Sequence, residues 1–125
     1  MIQGVGTDLV CQDRIERSLE RFGERFTQRI LTAAEQQRMQ ASRRPVNVLA
    51  KCFAAKEAVA KALGTGLGQG VGWHQIELQR AASGQPLISL SGAALQRLQA
   101  LGASKVLISL SDERNYVLAF AVLAS

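Results

Sequence analysis

The feature that most constrains this chain is a helical segment at residues 51–66, KCFAAKEAVAKALGTG, which is apolar on nearly all sides. A helix without a polar face is packed on several sides, so we predict that this is the central helix of the fold. It nevertheless carries four charged side chains: Lys51, Lys56, Glu57 and Lys61. In apolar surroundings such groups must be paired, bind a metal or lie at the edge of a cleft.

The rest of the sequence predicts an α+β fold, a mostly antiparallel sheet packed by the long central helix and by shorter helices. With 125 residues, one domain over 1–125 is expected. Strands are predicted at 2–9, 74–79, 86–90, 105–111 and 116–123. Helices are predicted at 12–30 with a break at Gly23, at 32–42, at 47–63 and at 91–102. Thr32 and Glu35 match a capping box, and Asn47 is the predicted cap of the central helix.

The first predicted helix sorts its side chains into three stripes. The apolar stripe consists of Ile15, Leu19, Phe22 and Phe26. The acidic stripe consists of Glu16, Glu20 and Glu24, and the basic stripe of Arg14, Arg17, Arg21 and Arg25. The basic stripe is either a solvated surface or a docking surface. A net charge of +5 favours an anionic partner: nucleic acid, a phosphate-rich small molecule or an acidic protein.

Several features bear on where the protein works. The N-terminal segment MIQGVGTDLV lacks the basic and long apolar regions of a secretory signal, and no apolar run is long enough to span a membrane. Two cysteines, Cys11 and Cys52, are too few for a disulfide framework. We therefore expect a cytoplasmic protein with reduced thiols. The only histidine, His74, is expected to be an ordinary half-buried residue.

Three positions, on two segments of the chain, have the residue types needed for phosphate chemistry. Glu57 and Lys61 are four residues apart on one helix face, which fits either a surface ion pair or a site. Asp8, in the apolar stretch GVGTDLV, is either a turn residue or a metal ligand. Mg²⁺ takes one or two protein carboxylates and fills its remaining positions with water and substrate phosphate. Asp8 and Glu57 would suffice if the fold brings them together, with Lys61 facing the same phosphate.

Three segments together resemble one family: GVGTDLV at 4–10 followed by Arg14, FAAKEAVAKALGTG at 53–66, and SLSDERNYVLAFAVL at 109–123. The chain resembles the holo-acyl-carrier-protein synthases, the small stand-alone phosphopantetheinyl transferases. The resemblance implies transfer of 4′-phosphopantetheine from coenzyme A to a serine of apo acyl carrier protein, with release of adenosine 3′,5′-bisphosphate. It also implies a Mg²⁺ requirement and a homotrimer with an active site at each subunit interface.

The resemblance assigns a role to matching positions. Asp8, Glu57 and Lys61 correspond to catalytic residues, the first two as the Mg²⁺ ligands. Coenzyme A contacts are implied for Lys61, Gly64, Pro86, Ser111 and Asp112. Arg14 corresponds to the residue that holds the acidic helix of the carrier protein, and the stripe argument adds Arg17 and Arg21. Lys51 and Lys56 are expected at the rim of the site or at a subunit contact.

Two departures from the family pattern concern coenzyme A. Cys52 stands where many members have arginine, and Asp112 where many have histidine. Either a metal-bound water or Glu57 could accept the serine proton. Two other classes of function stay open: a small basic nucleic-acid-binding module, and a non-catalytic relative. The chain has one Trp, one Tyr and four Phe, none placed among basic residues as stacking on nucleic acid requires, so no nucleic-acid partner is expected.

Overall fold

The computed structural model describes residues 1–125 and confirms the α+β class with an antiparallel sheet. The elements are β1 (Ile2–Cys11), α1 (Gln12–Phe22), α2 (Glu24–Ile30), α3 (Ala33–Ala41), α4 (Pro45–Ala62), a 3-10 turn (Trp73–Gln75), β2 (Ile76–Arg80), β3 (Pro86–Leu90), α5 (Gly92–Ala100), β4 (Lys105–Glu113) and β5 (Tyr116–Ala124). The predicted break at Gly23 and the capping box of Thr32 and Glu35 are both present. None of the helices combines the length and apolar character that a membrane crossing requires.

The main sheet has the strand order β1–β5–β4, and α4 lies across one of its faces. The strand and the helix approach each other closely because β1 presents two glycines to α4. A Cβ atom on Gly6 would lie 2.1 Å from the carbonyl oxygen of Ala58, and one on Gly4 would lie 2.3 Å from that of Ala62. Only glycine fits at such distances, so backbone rests directly on backbone.

The other sides of α4 are covered by α1, α2, α3 and β2, as its apolar composition predicted. The separate hairpin of β2 and β3 lies beside β4. Small side chains along α4 are completely buried, among them Ala54, Ala55, Ala58 and Val59. The helix ends as expected, since Gly64 adopts the left-handed conformation with φ of 79°.

Lys56 is fully buried, so the prediction that it lies at a rim or a subunit contact is wrong. Its Nζ atom lies 2.6 Å from Oε1 of Glu35 and donates to the carbonyl oxygens of Ile30 and Trp73, at 2.7 and 3.0 Å. The second oxygen of Glu35 accepts from the backbone N–H of Leu78 at 2.7 Å. Partners from four separate segments satisfy both charges, which makes their burial tolerable.

Asn47 does not cap α4, which corrects the predicted start of the helix. Arg44 is the N-cap residue and Pro45 occupies the first turn, where its missing N–H costs nothing. Asn47 lies inside the helix, and its Nδ2 donates to Oδ2 of Asp112 at 2.9 Å. The role of Asn47 is therefore the long-range hydrogen bond to Asp112, and not capping of the helix.

Phe22, a member of the apolar stripe of α1, is 50% exposed, because α1 ends there and the chain turns at Gly23. Two further predictions need correction. His74 is exposed rather than half-buried, and its Nε2 lies 2.7 Å from the carbonyl oxygen of Gln28. The predicted strand at 74–79 starts later, at Ile76, because the two residues before it belong to the 3-10 turn.

The variant Lys56→Met tests the importance of the buried ion pair. It leaves the carboxylate of Glu35 buried without its counter-charge, so we expect the free energy of unfolding to fall by about 3–5 kcal/mol. Guanidinium unfolding at one fixed protein concentration measures this. Lys105→Met, at an exposed position, should change the value by less than about 0.5 kcal/mol. Equal stability of the two variants would contradict the assigned role of Lys56.

Candidate active site between the first strand and the central helix

Asp8, which lies about 50 residues before Glu57 and Lys61 in the sequence, meets these two residues where β1 crosses α4. Asp8 follows Gly6 by two positions, so its side chain lies on the face of β1 that meets the helix. Nζ of Lys61 lies 3.2 Å from Oδ1 of Asp8 and donates to the carbonyl oxygen of Thr7 at 2.9 Å. Lys61 thus pairs with Asp8 and not with Glu57, which excludes the simple surface pair as the explanation of the helix charges.

Asp8 and Glu57 line the same cleft, which has a volume of about 370 Å³. Phe26 and Phe53 contribute apolar walls, and Arg14 lies at its side. Also among the lining residues are Cys11, Ile15 and Ser18. A larger surface cavity of about 500 Å³ has Glu24 as its one charged lining residue, so it offers no comparable set of groups. The cleft at Asp8 is therefore the candidate active site.

Both carboxyl groups have a raised pKa. Burial is the main cause for Asp8, and the adjacent Lys61 opposes it. Burial is also the main cause for Glu57, where the charge of Asp8 raises the pKa further and Lys61 lowers it. Two carboxylates that disfavour each other's charge would both be stabilised by a cation placed between them.

The donor set of the cleft fits a magnesium ion. Oδ2 of Asp8 is buried and has no hydrogen-bond partner, so one carboxylate oxygen is available for a ligand. No group of three or more His, Cys, Asp or Glu side chains exists, which argues against a closed site built only from protein ligands. Two carboxylates fit a hard cation that keeps water and substrate phosphate as its other ligands.

The five expected coenzyme A residues do not meet within one chain. Lys61 and Gly64 lie at the C-terminal end of α4, while Asp112 contacts Asn47 near its beginning. Positions 47 and 61 are 14 residues apart, which is about 21 Å along a helix. Pro86 begins β3, and Ser111 lies exposed on β4. The expected contacts thus fall into separate groups.

A basic cavity near the start of α4 was missed by sequence reasoning. It has a volume of about 320 Å³, and the basic residues that line it are Arg38, Arg44, Lys51 and Arg80. They come from three segments of the chain, namely α3, α4 with its N-cap, and β2, so no local pattern could reveal them. Lys51 also lies 3.7 Å from Oδ2 of Asp112, whose pKa is lowered chiefly by the hydrogen bond from Asn47.

Cys52 lies on the wall of this basic cavity but is not a reactive group. The side chain is buried, and burial together with the charge of Glu35 raises the pKa of the thiol to about 12. A thiol of that kind stays protonated at neutral pH. Both cysteines are free, as expected.

The three residues expected to bind the carrier protein lie on α1, and all are exposed. Arg14, Arg17 and Arg21 line a shallow depression together with Ser18 and Phe22. Arg14 and Ser18 also line the cleft that contains Asp8 and Glu57. The basic surface of α1 is therefore continuous with the candidate active site.

Comparison with known proteins places this chain in a family. The profile of the 4′-phosphopantetheinyl transferase superfamily matches residues 4–121. A holo-acyl-carrier-protein synthase of Halorhodospira halophila is 48% identical over 125 residues, which cover 100% of this chain and 99% of that protein. The crystal structure of holo-acyl-carrier-protein synthase from Neisseria meningitidis matches with a TM-score of 0.92 and 45% identity, covering all of both chains. The Bacillus anthracis synthase in complex with CoA (3′,5′-ADP) matches with a TM-score of 0.84 and 33% identity, over 100% of this chain and 99% of that one.

The variant Glu57→Gln tests whether the fold disfavours the charge of this carboxylate when no cation is bound. A carboxyl group whose pKa is raised by folding weakens the fold as the pH rises above its ordinary value of 4.5, so at pH 7 its removal should stabilise the protein. We expect a gain of less than about 1 kcal/mol in the free energy of unfolding, measured with a chelator present, because the group is partly solvated. Glu16→Gln, on the exposed face of α1, is the control. Destabilisation by Glu57→Gln would show that burial and the charge of Asp8 do not disfavour the carboxylate.

Proposed function

Because this chain belongs to the 4′-phosphopantetheinyl transferase superfamily, among the holo-acyl-carrier-protein synthases, we propose that it transfers 4′-phosphopantetheine from coenzyme A to a serine of an apo acyl carrier protein. The observation that carries the proposal is that Asp8 and Glu57 line one cleft and that Lys61 pairs with Asp8 at its side. Binding of CoA (3′,5′-ADP) by the Bacillus anthracis relative supports the donor. The basic surface beside the cleft suits an acidic acceptor protein.

Asp8 and Glu57 would hold Mg²⁺, with the unpartnered Oδ2 of Asp8 as one ligand atom. When bound, the ion supplies positive charge to the pyrophosphate of coenzyme A. Lys61 adds a cationic donor that is 52% exposed and so can reach a phosphate from its place beside Asp8. Phosphoryl transfer depends on such positioning and charge neutralisation more than on covalent help from the protein.

The reaction exchanges one phosphorus–oxygen bond for another. The serine oxygen bonds to the phosphorus that carries pantetheine, the pyrophosphate bridge breaks, and adenosine 3′,5′-bisphosphate leaves. The serine proton needs an acceptor, and we assign this task to the carboxylate of Glu57, which lines the cleft. Lys61 stabilises the charge that develops on the leaving phosphate.

We also propose a homotrimer, as the family resemblance implies, and the apolar, uncovered outer face of the sheet offers a surface for this association. Alternation along the strands places a set of large side chains, each between 41 and 64% exposed, on the face away from α4: Val5, Leu9, Leu107, Leu118 and Phe120. A contiguous apolar surface of this kind is typical of a subunit interface. Association through it would allow Pro86 and Asp112 of one subunit to complement Lys61 and Gly64 of another.

Neither alternative function is favoured by an observation. A non-catalytic relative would not need to retain the acid pair and the lysine in one cleft. Contrary to the expectation that no aromatic residue lies among basic ones, Phe22 lies beside Arg17 and Arg21. A nucleic-acid-binding module would need several aromatic side chains on this basic surface, and Phe22 is the only one.

Incubation with coenzyme A, Mg²⁺ and an apo acyl carrier protein tests the proposed reaction. We expect the carrier to gain the mass of one phosphopantetheine group, observed by intact-protein mass spectrometry. Glu57→Gln should lose the Mg²⁺-dependent transfer by at least about 100-fold while remaining folded, because a charge-stabilising ligand is gone. Glu16→Gln should be fully active. An unmodified carrier with the wild-type protein would refute the proposed function.

The variant Leu118→Lys tests the trimer. A charge in the centre of the outer sheet face should dissociate the assembly and weaken coenzyme A binding at least about tenfold, since the site would lose residues from its partner. Analytical ultracentrifugation and calorimetry measure the two effects. Leu87→Lys is a matched control, because Leu87 is 41% exposed and Leu118 is 42% exposed, but Leu87 lies on β3. A monomeric wild-type protein that binds coenzyme A would contradict the shared site.

A further inference from the structure

The glycine loop, residues 64–72 with the sequence GTGLGQGVG, follows the central helix and begins with an expected coenzyme A contact. Five of its nine residues are glycine, so the loop has many accessible backbone conformations, and fixing one of them costs entropy. In the folded chain its shape is nevertheless specific. The left-handed backbone conformation is adopted by Gly64, Gly66 and Gly70, and also by Gln69. A non-glycine residue keeps this conformation only where its surroundings fix it.

Arg97, on α5, braces the start of the glycine loop. Its Nε donates to the carbonyl oxygen of Leu63, the C-cap residue of α4, at 2.9 Å. Its Nη2 lies 3.5 Å from the place that a Cβ on Gly64 would occupy, so the guanidinium group lies against the turn itself. The last carbonyl groups of a helix lack partners within the helix and carry partial negative charge, which suits a cationic donor. No carboxylate pairs with Arg97, so the end of α4 is its polar partner.

Gln75 braces the other end of the glycine loop. Its Nε2 donates to the carbonyl oxygen of Gly70 at 3.0 Å, and its Oε1 accepts from the backbone N–H of Ala94 at 2.9 Å. Because both ends of the amide are engaged, its orientation is fixed. Ala94 lies in the first turn of α5, so both braces lead to the same helix.

Helix α5 is a firm support for these two braces. Ala94 and Leu98 are both buried in the core, and Leu98 directly follows Arg97 in the sequence. The arginine therefore extends from a helix whose position the core fixes. A side chain mounted in this way holds its partner more precisely than one on a mobile segment.

The glycine loop is in turn tied to the last turn of α4, which carries Lys61. The N–H of Gly64 donates to the carbonyl oxygen of Lys61 at 3.0 Å, and the N–H of Gly66 donates to that of Ala60 at 3.1 Å. A shift of the loop would therefore disturb two expected coenzyme A contacts together, Lys61 and Gly64.

We propose that Arg97 and Gln75 are positioning residues, which hold the glycine loop and the end of α4 in the conformation that receives coenzyme A. They act through Leu63 and Gly70 and do not touch the reacting atoms. A loop that is held in its binding conformation before the ligand arrives loses less entropy on binding. This inference rests on the proposed function, because it takes coenzyme A as the ligand of the loop.

Calorimetry with coenzyme A and Mg²⁺, together with steady-state transfer to an apo acyl carrier protein, tests the role of Arg97. Arg97→Met should raise the Kd and the KM for coenzyme A at least about tenfold, because a displaced binding group weakens the productive complex. The KM for the carrier should not change. Arg97→Lys, which keeps a cationic donor, should recover part of the affinity. Arg29→Met is the matched control, since it removes the same charge from an exposed position on α2, and it should bind coenzyme A like the wild type.

Hydrogen–deuterium exchange of the loop amides gives a second measurement that does not depend on activity. Without ligand, residues 64–72 should exchange at least about tenfold faster in Arg97→Met and in Gln75→Leu than in the wild type, because local opening becomes easier. Saturating coenzyme A should restore much of the protection. Exchange in β5, which lies in the core of the sheet, should be the same in all three proteins.

Wild-type affinity of Arg97→Met for coenzyme A overturns the inference. Weaker binding with unchanged exchange of the loop also overturns it, since Arg97 would then act by its charge and not by positioning. Faster exchange in β5 as well would show general destabilisation, which overturns it too. All three results leave the proposed function intact as long as the wild-type protein modifies the carrier. Absence of both coenzyme A binding and transfer in the wild type refutes the proposed function, and the inference with it.

Discussion

The candidate active site depends on the contact between the backbones of β1 and α4. Gly6 allows the strand to lie against Ala58, and this close approach places Asp8 within 3.2 Å of Lys61. Any side chain at position 6 would hold the strand away from the helix. The separation of a carboxylate and an amine, on which the chemistry rests, is thus set by a residue that has no side chain.

The opposite side of α4 is held by a different kind of interaction. Lys56 and Glu35 form a buried ion pair that joins the helix to α3, to the end of α2 and to the 3-10 turn. Buried pairs contribute little net stability compared with apolar residues, but they penalise wrong arrangements strongly. Since Lys56 precedes Glu57, the pair also fixes the rotation of α4 that directs Glu57 into the cleft. The two contacts together define where the helix sits and which face it presents.

Local signals in the sequence predicted the elements well and their long-range partners poorly. The periodicity of α1, the Thr32 capping box and the glycine turn after α4 depend on nearby residues, so each was readable. The burial of Lys56 and the bond from Asn47 to Asp112 depend on segments that meet only in the folded chain. Asp8 and Glu57 were proposed as an acid pair from their residue types. Only the folded structure shows that they line the same cleft. The apolar stripe of α1 includes the exposed Phe22, because periodicity does not show where the core ends.

The contrast between the two thiols has a practical consequence. Cys52 is buried and stays protonated, whereas Cys11 is partly exposed and lines the cleft beside Asp8. A maleimide fluorophore applied to the native protein would therefore attach at one position. Its emission would report directly on occupancy of the cleft, without any engineered cysteine.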